Sequence, residues 1–484
     1  MKRILLLMAM LPLAMHGKVN PPTPYGPTPT ARQLAWHELN FYAFIHFTTN
    51  TFNDMEWGYG DADPNLFNPA NLDCDQWMRA MKAAGIKGVI LTAKHHDGFC
   101  LWPSKHTDYS VKNSQWMNGK GDLVRSVSEA AKKHGLKFGV YLSPWDRHDL
   151  RYGTPEYITY YRSQLTELLT QYGPIFEVWE DGANGGDGYY GGRKEVRKID
   201  NKTYYDWTNT NFLIRELQPQ ACIFSDAGPD TRWCGNESGY VGETNWCTIK
   251  RADFAPGIAN REILEHGDEE GVNWVPAEVD VSIRPGWFFH EKENGQVKTP
   301  EQLMDIYYNS VGRGANLILN IPPNRDGKFN TEDVQSLEKF GEMLQKEFSN
   351  CINKLIVNAD ASNTRGGEST YNAQKAYDDN HETYWATDDS ITTGEITFNL
   401  KKTTRVNRAM IREQIALGQR VSEFIVEAQD KNGTWKEVAK ATTIGNKRLL
   451  RFPDVETTAL RLTILKSRAC PVISDVKFYY AEYD

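Results

Sequence analysis

From residue 41 onward the chain alternates between short runs of β-branched and aromatic residues and longer stretches whose apolar positions recur at helical spacing. The runs predict strands over residues 41–46, 87–95, 137–143, 175–181, 221–226, 286–290 and 315–321. Helices are predicted over 74–84, 123–134, 155–172, 204–217, 300–312 and 331–348. Strands that are apolar on both faces and alternate with helices belong to a parallel sheet. No strand opens into a phosphate-cradling loop, so a (β/α)8-like TIM barrel fits better than an open doubly wound sheet. One Gly-x-Gly-x-x-Gly match exists at Gly186, Gly188 and Gly191, but Tyr189 and Tyr190 inside it would crowd a pyrophosphate and no helix follows at once. Past residue 348 the period changes to short alternating strands over 395–400, 421–430, 434–439, 447–452, 459–465 and 473–480, the pattern of an all-β sandwich.

A chain of 484 residues is long enough for two cores, which these patterns place in residues 18–348 and 349–484. Ahead of them, residues 1–17 carry Lys2 and Arg3, an apolar run over 4–15, and Gly17, the layout of a secretory signal peptide. The run is too short to span a bilayer, no later stretch approaches that length, and the expected location is periplasmic or secreted, from a bacterial cell. Loss of Lys2 and Arg3 with that segment would take the net charge from −8 to about −10, which argues against nucleic acid as a partner. The seven cysteines show neither Cys-x-x-Cys nor zinc spacing, and His-Glu-x-x-His is absent, so buried free thiols and no catalytic metal are expected.

Aromatic residues make up 12% of the chain, with 14 Trp and 23 Tyr, which suits stacking against apolar sugar faces but also the filling of large cores. In a barrel the C-terminal ends of the strands meet at one mouth, so His46, His95, His96, Tyr141, Trp179, Asp181, Asp226 and Trp287 become neighbours. Imidazoles that donate or accept, rings that cover apolar faces and a carboxylate suit a sugar pocket. Taken singly, the His95-His96 pair also admits structural and metal-ligand readings, and Asp181 that of a solvated loop acid.

The segments FIHFTTNTF (44–52), TAKHHDGFCLWPSKHTDYSV (92–111), GVYLSPWD (139–146), EVWEDGANG (177–185) and NLILNIPPNRDG (316–327) resemble the signature segments of the α-L-fucosidases of glycoside hydrolase family 29. The form EVW-x-DGANG, with GNE at 235–237, is similar to the branch acting on α-1,3 and α-1,4 fucosyl linkages. This resemblance implies retaining hydrolysis of a fucosylated oligosaccharide or glycoconjugate, with Asp181 as nucleophile and no required cofactor. The chain departs from the branch at position 180, where Glu replaces an aromatic residue; alternation along a strand turns Glu180 away from the sugar.

A retaining glycosidase needs one ionised and one protonated carboxyl. Asp181 closes a strand ahead of Gly182, and Glu237 lies on the loop after a later strand, which matches the GNE segment and makes it the expected acid. Glu243 and Glu278 compete for that role, and Arg232 is placed to steady the nucleophile or the loop. Fucose presents a methyl group and three hydroxyls, for which His46, Glu56, His95, His96 and Tyr141 are the polar candidates and Trp57, Trp179 and Trp287 the aromatic ones. Two other functions compete: a non-catalytic glycan-binding protein on a hydrolase barrel, and a retaining hydrolase for another deoxy sugar or a galactoside.

The C-terminal part, from AYDDNHETYWAT (376–387) to VKFYYAE, resembles the discoidin or galactose-binding-like family. That resemblance implies a possible structural calcium, for which Asp378, Asp379 and Glu382 offer hard oxygen ligands. Every candidate catalytic residue precedes position 349, which assigns bond cleavage to the barrel.

Overall fold

A computed structural model describes residues 19–184, 189–190, 193–257 and 260–482. The expected signal peptide, residues 1–17, lies outside the described residues, as do Gly186, Gly188 and Gly191.

Eight parallel strands close a barrel in chain order: β1 (Phe41–Ile45), β2 (Gly88–Lys94), β3 (Lys137–Leu142), β4 (Glu177–Trp179), β5 (Cys222–Ser225), β6 (Thr231–Trp233), β7 (Ala277–Ser282) and β8 (Asn316–Asn320), with β8 returning to pair β1. The period of two along each strand sorts the side chains. Phe41, Ala43, Ile45, Val140, Val178, Val279, Val281, Leu317 and Leu319 point outward into the large core beneath the helices. Tyr42, Phe44, Ile90, Tyr141, Trp179, Phe224 and Ile318 point inward and pack together in the barrel.

The surrounding helices are α1 (Ala31–His37), α2 (Cys74–Ala83), α3 (Leu123–His134), α4 (Pro155–Gln171), α5 (Trp207–Leu217), α6 (Arg261–His266), α7 (Pro300–Asn309) and α8 (Thr331–Ser349). Their ends follow from capping chemistry: Asp73 accepts from Gln76 N–H and Asp122 from Arg125 N–H, and Thr299 forms a capping box with Gln302 ahead of Pro300. From α1, Trp36 joins the inward-facing cluster and donates to Tyr42 and Glu177.

The strand expected at residues 286–290 is a loop with bends through Phe288, because its aromatic run serves the site and the core: Trp287 faces the mouth while Phe288 and Phe289 are buried. The strand in that part of the chain is β7, and β6 adds an eighth; neither was anticipated.

Seven antiparallel strands build the C-terminal part: β9 (Ile356–Ala361), β10 (Trp385–Ala386), β11 (Gly394–Glu413), β12 (Val421–Gln429), β13 (Trp435–Ala441), β14 (Arg448–Ser467) and β15 (Val472–Tyr479). Two expected short strands, 447–452 and 459–465, are one twenty-residue strand, β14, whose pairing with β11 shifts register twice. Its apolar core is separate from the barrel's, but Met410, Leu449 and Tyr479 pack into the barrel core and Arg408 donates to Glu347 of α8 at 2.7 Å.

In the loop for which the resemblance implies a calcium, Asp378 accepts from Thr383 and Asn380 N–H and pairs with Lys375, and Asp379 pairs with Lys477 at 2.7 Å. Among the described residues no group of three or more His, Cys, Asp or Glu could hold a metal, and no helix is long and apolar enough to cross a membrane. All seven cysteines are free thiols; six are buried and Cys351 is half-buried.

Candidate active site

At the C-terminal mouth of the barrel, thirteen residues line a pocket. All ten expected site residues are among them: His46, Glu56, Trp57, His95, His96, Tyr141, Trp179, Asp181, Glu237 and Trp287. Phe44, Ala183 and Asp280 complete the lining and were not anticipated. Asp280 was findable from the alternation of Glu278, Asp280 and Ser282, which places all three on one face of β7.

Asp181 stands two residues past the end of β4, with its side chain 22% exposed. Its Oδ2 accepts from the Tyr141 hydroxyl at 2.9 Å and its Oδ1 from Ala183 N–H at 2.7 Å. Burial raises its pKa, and these two bonds to the charged form oppose the rise. His96 Nε2 lies 3.7 Å from Oδ2, too far for a hydrogen bond. Gly182 is required by close approach: a Cβ there would meet Asp226 Oδ2 at 2.2 Å. Asp226 does not line the pocket; it accepts from Gly257 N–H, and burial pushes its pKa up to about 7.

Three imidazoles line the same pocket, and burial favours the neutral form of each. Burial lowers His46 and His96 to about 3 and takes His95 well below its ordinary value. His46 Nδ1 is fixed by Asn320 at 2.8 Å and His96 Nδ1 by Ser143 at 2.7 Å, while His95 Nδ1 has no protein partner among the described residues. A neutral ring both donates and accepts, which suits sugar hydroxyls. Trp179 stacks on Phe224 at 4.0 Å and donates to Glu278 at 2.7 Å; Trp57, 52% exposed, meets His96 edge-on at the rim.

Glu237 reaches the mouth from an exposed loop after β6 and accepts from the Trp287 indole at 3.2 Å. Burial raises its pKa, the indole opposes this, and the Asp181 charge raises it further. Trp287 is itself held through its backbone: Glu56 accepts from Trp287 N–H at 2.9 Å and Phe288 N–H at 3.1 Å, and contacts His290 Nε2 at 2.6 Å. Burial works against a proton on His290, but Asp54 and Glu56 raise its pKa on balance.

The competing residues sit elsewhere. Glu243 has a side chain 63% exposed and pairs with Arg448 outside the pocket. Glu278 is buried beneath the pocket, where it takes bonds from Trp179 and Tyr42; burial raises the pKa of both Glu278 and its neighbour Glu177. Arg232 does not reach Asp181: it donates to the carbonyls of Leu264 and Val275 and to Asn245. Glu180 is buried, does not line the pocket and lies within electrostatic reach of Arg215 and Asp230, as alternation requires.

Residues 28–349 match the family model described as α-L-fucosidase. The chain belongs to that family. Residues 358–474 match an F5/8 type C domain, in agreement with the discoidin-like resemblance. This α-L-fucosidase is 46% identical to α-L-fucosidase 1 of Arabidopsis thaliana, over 96% of this chain and 89% of that protein. Among solved structures it resembles a glycoside hydrolase 29 family member from an unknown rumen bacterium, at 44% identity and TM-score 0.84 over 95% of this chain and 78% of the other. A structure described as a putative α-L-fucosidase from Bacteroides thetaiotaomicron gives 39% identity and TM-score 0.87 over 96% and 99%. A Ruminococcus gnavus fucosidase of the same hydrolase family, in complex with fucose, gives 32% and 0.84 over 96% and 97%. The fucosidase is therefore a glycoside hydrolase acting on fucosylated glycans.

Proposed function

We propose that the enzyme is a retaining exo-α-L-fucosidase that removes α-1,3- and α-1,4-linked fucose from branched glycans through a covalent intermediate on Asp181. The observation that carries this reading is the pairing of Asp181, held by two donors to its charged form, with Glu237, whose proton is favoured by burial and by the Asp181 charge. A carboxylate whose hydrogen bonds favour its charge beside a carboxyl whose proton is favoured is the division of labour a retaining mechanism needs.

In the first step an Asp181 oxygen bonds to the anomeric carbon, the glycosidic C–O bond breaks, and the Glu237 proton passes to the leaving oxygen. In the second, ionised Glu237 takes a proton from water, the water oxygen bonds to the same carbon, and the ester to Asp181 is released. Two inversions return α-fucose. His46, His95, His96, Tyr141 and Glu56 serve the hydroxyls, and Trp57, Trp179 and Trp287 the apolar faces; the fucose-bound Ruminococcus gnavus relative supports this choice of sugar. Linkage preference rests on the EVW-x-DGANG and GNE segments. The N-terminal pattern supports export to the periplasm or medium, and sequencing the mature N-terminus checks that part.

The test is proton NMR of the first sugar released from a Lewis-type trisaccharide, beside the same measurement on an α-1,2-fucoside. Early α-fucose with faster turnover of the trisaccharide is expected. Early β-fucose would exclude retention, and equal efficiency on both linkages would exclude the linkage preference.

A further inference from the structure

The long loop between β6 and β7 carries Glu237, and its middle is fastened to the C-terminal sandwich. Gln419 lies between β11 and β12, and its amide reads the loop backbone as a neighbouring peptide would. Its Oε1 accepts from Cys247 N–H at 2.7 Å and its Nε2 donates to the Asn245 carbonyl at 2.9 Å. Thr443, between β13 and β14, accepts from Asn245 N–H at 2.9 Å. Both backbone groups of Asn245 are therefore satisfied by sandwich side chains, and all three residues are buried.

Asn245 passes this anchorage inward. Its Nδ2 donates to the Arg313 carbonyl at 2.9 Å, which orients its Oδ1 to accept from Arg232 Nη2 at 3.1 Å. Arg232 is fully buried, and its other acceptors are the Leu264 and Val275 carbonyls; burial lowers its pKa to about 10. A buried guanidinium served by neutral oxygens depends on each of them. Arg232 thereby ties β6 to α6, and the segment around Glu237 is held by the same two elements. On β6, Trp233 donates to Asp280 in the pocket at 2.9 Å; on α6, Glu265 accepts from Asn236, the residue before Glu237, at 3.0 Å.

We propose that Gln419 and Thr443 are positioning residues for the general acid, acting through Asn245 and Arg232, so that the sandwich sets where Glu237 stands over the leaving oxygen. This rests on the reading of Glu237 as the acid. The Asp181 carboxylate takes its bonds from Tyr141 and Ala183, neither of which touches this chain of contacts, so loosening the anchorage weakens protonation of the leaving group and spares nucleophilic attack.

The test uses the full chain carrying Gln419→Ala, Thr443→Val or Thr443→Ser, with kcat/KM measured on a Lewis-type trisaccharide and on an aryl fucoside whose leaving group needs no proton. Gln419→Ala and Thr443→Val are expected to lose on the order of 10- to 100-fold on the trisaccharide, the scale of a small misplacement of a reacting group, and less than about threefold on the aryl fucoside. Thr443→Ser keeps the accepting hydroxyl and should behave as the parent. If Gln419→Ala does not fold, the Thr443 pair decides the matter alone. Equal losses on both substrates, no loss on either, or a Thr443→Ser variant as impaired as Thr443→Val would overturn the proposal. Glu237→Ala is run beside them: a leaving-group-dependent loss there with none in the sandwich variants rejects the anchorage alone, and its absence in Glu237→Ala rejects the acid assignment as well.

Discussion

Asp181 and Glu237 face one pocket from supports of different kinds. Asp181 stands just past a barrel strand, and both its oxygens take donors from β3 and from its own turn, within a few residues of the sheet. Glu237 stands on a loop, takes one side-chain bond, and depends on Trp287, which depends in turn on Glu56. The difference suits the roles proposed for the two carboxyls. A nucleophile must meet the same anomeric carbon in every substrate, so a rigid sheet end suits it. An acid must meet a leaving oxygen whose attached sugar varies, so a loop suits it, provided other contacts hold that loop.

This contrast can be broken by substitution. The largest effect is expected for Asp181→Ala, with losses on the order of 10⁴-fold or more on trisaccharide and aryl fucoside alike and no fucosyl-enzyme by mass spectrometry. Residual turnover that tracks leaving-group acidity would move the nucleophile elsewhere. Next comes Glu237→Ala, expected to lose about 10² to 10⁴-fold on the trisaccharide and far less on the aryl fucoside. A matching pattern in Glu243→Ala or Glu278→Ala, with none in Glu237→Ala, would transfer the acid role.

Tyr141→Phe sharpens the contrast from the nucleophile's side. The Tyr141 hydroxyl bonds to the charged form of Asp181 and holds its pKa down, so removing it lets that pKa rise. Activity should fall roughly tenfold, the scale of a lost charge-assisted bond, and the acid limb of the pH–rate profile should move to higher pH. An acid limb that stays in place would show that another group sets it. The smallest effect on turnover is expected far from both carboxylates: with Asp378, Asp379 and Glu382 as calcium ligands, a chelator should lower the unfolding midpoint and leave turnover nearly unchanged. A midpoint that does not move with chelator would exclude the cation.

The barrel and its mouth were legible in the sequence wherever strands are apolar on both faces. FYAFI in β1 and GVILTAK in β2 could hardly be anything else, and the residues just past them, His46, His95 and His96, line the pocket because the barrel puts strand ends at its mouth. β7 was not legible because its inward positions are Glu278, Asp280 and Ser282: a strand whose buried face is acidic lacks the hydrophobic signal by which strands are found. β6 has three residues with Arg232 at its centre and is too short and too polar to register. The run from Trp287 to Phe289 failed in the opposite sense, carrying a strand's composition in a loop that needs rings for a pocket and for packing. Glu237 could be placed on its loop, but nothing local to it encodes the Gln419 and Thr443 anchorage, which joins positions far apart in the chain.

The free thiols bear on how the molecule ages. Burial pushes Cys74 and Cys247 up to about 12 and Cys100 and Cys222 well above their ordinary range, so at neutral pH the folded chain offers almost no thiolate at these sites. Oxidants that act on thiolates therefore find little to attack at these four sites. Once opened, the same chain exposes seven cysteines with no native pairing to return to, and any disulfide among them holds the opened state. In an oxidising compartment, unfolding becomes a one-way door, and the lifetime of the enzyme is set by how rarely the chain opens.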